Sequence, residues 1–167
     1  MARTVPSNTD TTTQTRKGGQ FLKWVLIVFG GAVLVAAALF AWMMYRMNYV
    51  PGDLNTSTAL SSEQGLFNFS YTPQNDAIRI NRIHSWTLHV EDAAGAPVEN
   101  AVIAVDGDMP QHGHGLSTSP RVTKYLGNGD YQVDGLKFHM PGWWIVEFEI
   151  EAGGQKDQVT FNLLLNE

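Results

Sequence analysis

Twenty-two consecutive residues without a charge, Trp24 to Tyr45 (WVLIVFGGAVLVAAALFAWMMY), separate a polar tail from a region whose apolar positions recur every second residue. As a helix that run reaches about 33 Å, enough to cross a hydrocarbon core of about 30 Å. Trp24 at one end and Trp42 with Tyr45 at the other suit the two membrane interfaces. The predicted anchor covers residues 23–46. A cleaved signal peptide is the rival reading, since Ala36-Ala37-Ala38 offers a small-residue site. The apolar run, however, continues through Leu39, Phe40 and Trp42 and exceeds the roughly 7–15 residues of a signal core. Residues 1–22, with six Thr in the first fifteen positions and no apolar period, are predicted to be a structureless tail.

Residues 47–65 are polar, carry the turn signal Pro51-Gly52, and read as a tether to a domain at 66–167. In that domain Trp86, Leu88 and Val90 alternate with Thr87, His89 and Glu91. Trp144, Val146, Phe148 and Ile150 alternate with Glu147, Glu149 and Glu151, and Val159, Phe161 and Leu163 with Thr160 and Asn162. Each pattern is that of a half-buried strand. Further strands are predicted at 66–71, 77–82, 100–106, 119–126 and 130–136. Seven or eight short strands without a helical period predict an all-β, immunoglobulin-like antiparallel β-sandwich behind one transmembrane helix.

Charge sharpens the division. Residues 1–45 carry a balance of +3 and residues 46–167 one of −8. Arg16, Lys17 and Lys23 precede the span and only Arg46 closely follows it, so the tail is expected in the cytoplasm and the domain outside. An acidic domain excludes nucleic acid as the expected partner, leaving the lipid bilayer around residues 24–45. There is no cysteine, which removes disulfides, thiolate metal sites and cysteine nucleophiles. No G-x-S-x-G elbow, phosphate-binding glycine loop or H-E-x-x-H segment occurs, so no enzyme is expected.

The chemistry concentrates in two loops, Asp106 to Gly115 (DGDMPQHGHG) and Lys137 to Gly142 (KFHMPG). Between them Asn128-Gly129 signals a type I′ hairpin turn. If those residues form the turn, 127 opposes 130 and, by the same sum, Thr118 opposes His139, bringing the two loops together. His112, His114, His139, Met109 and Met140 would then offer imidazole nitrogen and thioether sulfur, a set that suits copper better than zinc or the hard cations. Asp106 and Asp108 are either acceptors for a ligand ring or parts of a turn. His84 shares a strand face with Trp86 and Leu88; it is a hydrogen-bonded core-edge histidine or a further ligand. His89 faces the other way and is expected to be merely solvated. Trp144 reads as a core residue, and Trp143 as a partly exposed candidate for the rim of the site or for a partner.

The run His84-x-Trp86-x-Leu88, Gly95-x-Pro97-Val98, Asp106-Gly107-Asp108-Met109-Pro110-x-His112-x-His114-Gly115, Gly127-x-Gly129-x-Tyr131 and Phe138-His139-Met140-Pro141-Gly142-x-Trp144 resembles the YtkA-like and FixH-like proteins of bacteria. The resemblance covers about residues 66–165. It implies an immunoglobulin-like sandwich on one inner-membrane anchor, facing the periplasm, with a part in copper handling and in assembly of haem–copper oxidases. Carried over by position, Met109, His112, His114, His139 and Met140 match the segments associated with metal. A metal-free sandwich that supports a membrane respiratory or transport complex is the alternative.

Overall fold

A single helix, α1 (Thr15–Asn48), carries the uncharged run. The computed structural model describes residues 15–74 and 77–166, with side chains from residue 19 onward. The chain forms two units, Met1–Asn48 and Tyr49–Glu167. Among the described residues α1 is the one helix long and apolar enough to cross a membrane. Phe21, Trp24, Ile27, Leu34, Phe40 and Trp42 all lie on its exposed surface, so it is apolar around its circumference, as a lipid-facing helix must be. The Arg46 guanidinium stands 5.6 Å from the Trp42 ring, one turn earlier.

The helix starts earlier than predicted. Its 34 residues reach about 51 Å at the usual rise, well beyond the apolar core of a bilayer. Residues 15–22, read from sequence as structureless, continue the helix, because adding a turn to a formed helix costs far less than starting one. The rest of that predicted tail, residues 1–14, lies outside the described residues.

The second unit is an antiparallel sandwich of two sheets. One sheet is ordered β1 (Ala59–Ser61), β2 (Phe67–Pro73), β3 (Ile83–Asp92), β7 (Asp130–Lys137), β6 (Arg121–Gly127). The other is ordered β5 (His114–Gly115), β4 (Val102–Met109), β8 (Gly142–Ala152), β9 (Gln155–Leu165). The alternation legible in the sequence is the alternation of burial. Phe67, Phe69, Tyr71, Trp86, Leu88, Val90, Tyr131 and Val133 from the first sheet meet Trp144, Val146, Phe148, Ile150, Val159, Phe161 and Leu163 from the second. Full burial of such a side chain stabilises by roughly 1.5–3 kcal/mol, so this core suffices without disulfides. The Tyr131 hydroxyl, inside the core, donates to the Val98 carbonyl at 2.8 Å and accepts from the Ala101 amide at 3.2 Å. It thereby fixes the connection that carries the chain from the first sheet to the second.

Three predicted features differ. Residues 77–82 form no strand: Asn81 takes a left-handed φ of 60° and donates its amide to the Phe138 carbonyl at 2.7 Å. Part of the predicted tether is bound to the sandwich, with Ala59–Ser61 paired to β2 and the Asn55 carbonyl accepting from Asn162 of β9. Farther along, Asp157 accepts the backbone amides of Gln64 and Leu66 and so holds the 62–66 turn against β9. The Asn128-Gly129 turn does form, with φ of 53° and 77°, but β6 departs from the simple register at two places. Gly127 opposes Asp130 as expected, whereas Arg121 opposes Asp134, a slip of two residues. Pairing ends there, so Thr118 does not pair with His139.

Candidate metal centre

The two histidine loops meet by another route. β4 ends at Met109, and the amides of His112 and Gly113 both return to the Met109 carbonyl at 2.9 Å. Gly113, at φ 65°, then turns the chain into the two-residue strand β5. Met109 opposes His114 and Asp108 opposes Gly115. Directly opposed residues project to the same side, so His114 shares the inward face of Met109, a side chain with 0% exposure. The second loop, residues 138–141, crosses from β7 in one sheet to β8 in the other. Phe138 is buried at its start and pinned through the Asn81 amide. Both loops thus close the same end of the sandwich.

The imidazoles form a run. The rings of His112 and His114 stack with centroids 5.7 Å apart and planes 16° apart, and His139 lies 5.0 Å from His114. Trp144 closes the inner side, edge-on to His139 at 5.2 Å and tilted against His114 at 6.3 Å. Its indole N–H donates to the Met140 carbonyl at 3.0 Å, which fixes the second loop from within. Gly142 has φ 125°, a conformation other residues rarely adopt, and a Cβ there would fall 2.7 Å from Met109 Cε, the movable end of that thioether. Gln111 completes the wall, its side-chain amide donating to the Tyr49 carbonyl at 3.0 Å.

Four buried side-chain atoms have no hydrogen-bond partner among the described residues: Trp86 Nε1, Thr118 Oγ1 and, within this run of rings, Nδ1 of His114 and Nδ1 of His139. Leaving one buried polar group unpaired costs about 1–3 kcal/mol, so two side by side call for an explanation. Lone pairs awaiting a cation supply one, and imidazole with thioether is a donor set that fits copper. As they stand, no three His, Asp or Glu side chains among the described residues are disposed to hold an ion. The donors that the fold gathers are therefore His114 and His139, with Met109, Met140 or His112 to complete them.

The remaining expectations separate cleanly. Nε2 of the buried His84 lies 2.8 Å from the carbonyl oxygen and 3.2 Å from the amide nitrogen of Arg79, donating to one or accepting from the other by tautomer. That is the core-edge role, not the ligand role. Asp106 is exposed on the outer face of its sheet, its carboxylate accepting the Gly107 amide. It orients neither orphaned Nδ1. Trp143 donates to Asn162 at 3.0 Å on the outer side of β8, so the tryptophan at the site is Trp144. The parity of β8 could have revealed this, because Met109 and Trp144 both face inward at the end where the loops close.

His89 is more than solvated. Its Nδ1 is 2.6 Å from Asp130 and its Nε2 3.3 Å from Glu91. Burial of the ring works against its charge, but the two carboxylates outweigh burial and raise its pKa above the ordinary histidine value. On the same face Asp134 accepts from Ser85, Thr123 and Gln132, and these hydrogen bonds hold its carboxyl below the ordinary range.

A cleft of about 680 Å³ adjoins the centre, lined by His139, Pro141, Arg79, Asn81, Ile78 and Asn166 among others. It is the opening through which the second loop can be reached from solvent.

The YtkA-like family profile matches residues 62–149, and the chain belongs to the YtkA-like family. No curated protein sequence matches it. Among solved structures it is similar to a DUF4426 family protein from Pseudomonas aeruginosa PAO1, at 16% identity and a TM-score of 0.48, over 66% of this chain and 100% of that one. It is also similar to the Lin-41 filamin domain, at 13% identity and 0.36, over 64% and 96%. The GAE domain of GGA2p from Saccharomyces cerevisiae is similar at 12% identity and 0.39, over 65% and 96%.

Proposed function

We propose that this chain is a copper-holding protein of the bacterial inner membrane, with its tail in the cytoplasm and its sandwich in the periplasm. It keeps the ion in the His/Met end of the sandwich and hands it on, without turning over a substrate. The single observation that carries the reading is the pair of buried, partnerless Nδ1 atoms on rings 5.0 Å apart, beside a fully buried thioether. The orientation rests on the basic residues before the span and the acidic domain after it. A haem–copper oxidase under assembly is the recipient that the resemblance to FixH-like proteins suggests.

Each residue has a task in this scheme. His114 and His139 supply nitrogen, Met109 and Met140 supply sulfur, and Trp144 holds the second loop and keeps water from the inner side. His112, on the turn between β4 and β5 and stacked on His114, adds a further imidazole beside that pair. Copper supplies nothing to the protein here beyond being its cargo.

The test is competition titration of the detergent-solubilised full chain with copper. His114→Ala with His139→Ala should weaken binding by more than about 100-fold, beyond what the loss of an outer hydrogen bond costs. Unchanged affinity would overturn the reading and leave a metal-free module for a membrane complex.

A further inference from the structure

The geometry points to the cuprous ion as the species this centre takes, with Trp144 as the residue that positions its donors; the inference rests on the copper reading above. Four observations converge.

Sulfur comes first. Met109 is fully buried and is the register partner of His114, while the backbone of Met140 is held by the Trp144 N–H. Thioethers are soft ligands that favour Cu(I), whereas Cu(II) prefers tetragonal nitrogen and oxygen.

Charge comes second. Among the described residues no Asp or Glu joins these histidines in a group that could hold an ion. Asp106 sits on the opposite face of β4, across from Glu147. Among its described lining residues the adjoining cleft carries Arg79 and no acid. A dication would meet no carboxylate among those described lining residues. The cost of desolvating an ion rises with the square of its charge, so a dication costs about four times as much as a monocation in the same surroundings.

Burial comes third, because the orphaned nitrogens are out of reach of solvent. Cu(II) would have to shed water ligands that the site does not replace, while Cu(I) is satisfied by two to four soft donors.

The indole comes last. Trp144 touches both candidate nitrogen ligands with its ring and the candidate sulfur ligand's backbone through its N–H. It is a positioning residue: its N–H fixes the 138–141 crossover, and its ring packs edge-on against His139.

The experiment is anaerobic competition of the full chain in detergent against a chromophoric Cu(I) chelator, and separately against an amino-acid chelator of Cu(II), with Ag(I) and Zn(II) as further probes. Tryptophan fluorescence is followed throughout. Cu(I) should bind roughly tenfold or more tighter than Cu(II), and Ag(I) should compete for the same site while Zn(II) does not. Cu(I) should quench Trp144 fluorescence. Trp144→Phe should weaken Cu(I) binding by roughly 10–100-fold, as loss of an outer positioning group does, with the far-ultraviolet spectrum unchanged. Met140→Leu, at a half-exposed position, should shift the preference toward Cu(II) even if the Trp144 variant unfolds. Equal or tighter Cu(II) binding that depends on His114 and His139 would overturn this inference and leave the copper reading standing. Binding of neither ion would overturn both.

Discussion

His114 and His139 stand with ring centroids 5.0 Å apart although 25 positions separate them, one on a two-residue edge strand and the other on a crossover between sheets. Their proximity comes at the expense of stability, because each keeps a buried Nδ1 without a partner. His139→Leu should therefore leave the metal-free chain as stable as before or more so, by up to about 1–3 kcal/mol. The same variant should lose the copper-induced rise in unfolding temperature. Thermal melts with and without copper check both halves.

Met109 serves the core and the site at once. Met109→Ala should destabilise by about 2–5 kcal/mol, as deletion of a buried large side chain does. Met109→Leu keeps the volume and should cost less than about 1.5 kcal/mol, yet it removes the sulfur. Denaturant unfolding should separate these variants by stability, and copper titration should group them together.

Much of the sandwich was legible because its main signal is local. β3, β8 and β9 announce themselves by strict alternation, and their buried faces are the ones the sequence marks. β1 and β5, with three and two residues, exist only because a partner strand lies beside them, so no local period could reveal them. Residues 77–82 mislead for the opposite reason: Ile78 and Ile80 alternate, but the chain turns at Asn81 instead of pairing. The meeting of the histidine loops was read correctly in outcome and wrongly in cause. Two bulges in β6 break the assumed register, and it is the Met109–His114 hairpin with the 138–141 crossover that brings the rings together. Trp144 was legible as core but not as a wall of the site, since its contact with His139 depends on where a loop lands.

Gly129 tests the turn itself. It has φ 77°, and a Cβ there would lie 2.5 Å from the Val90 carbonyl oxygen, which is backbone and cannot swing aside. Gly127 also has a positive φ but open space around it. Gly129→Ala should cost more than Gly127→Ala, for which backbone strain alone sets a scale of roughly 1–3 kcal/mol. Denaturant midpoints of the two variants decide it.

Stability should fall on both sides of neutral pH. The His89 pKa is raised, so its contribution is complete below the ordinary histidine value and is lost as pH rises through the raised folded-state value. Asp157 behaves oppositely. Burial pushes its carboxyl up, but Ser62 and the amides of Gln158, Gln64 and Leu66 outweigh that and hold it below the ordinary range. Its contribution is present above the ordinary carboxylate value and is lost as pH falls through the lowered one. Unfolding followed against pH should show His89→Gln flattening the alkaline limb alone and Asp157→Asn the acid limb alone.

X-ray absorption at the copper edge tests the central claim most directly, on the full chain in detergent loaded with one equivalent of Cu(I). Imidazole scattering together with sulfur in the nearest layer is the predicted result, with sulfur diminished in Met109→Leu and imidazole lost in His114→Ala with His139→Ala. A spectrum of light atoms without imidazole, identical in the double variant, would contradict it.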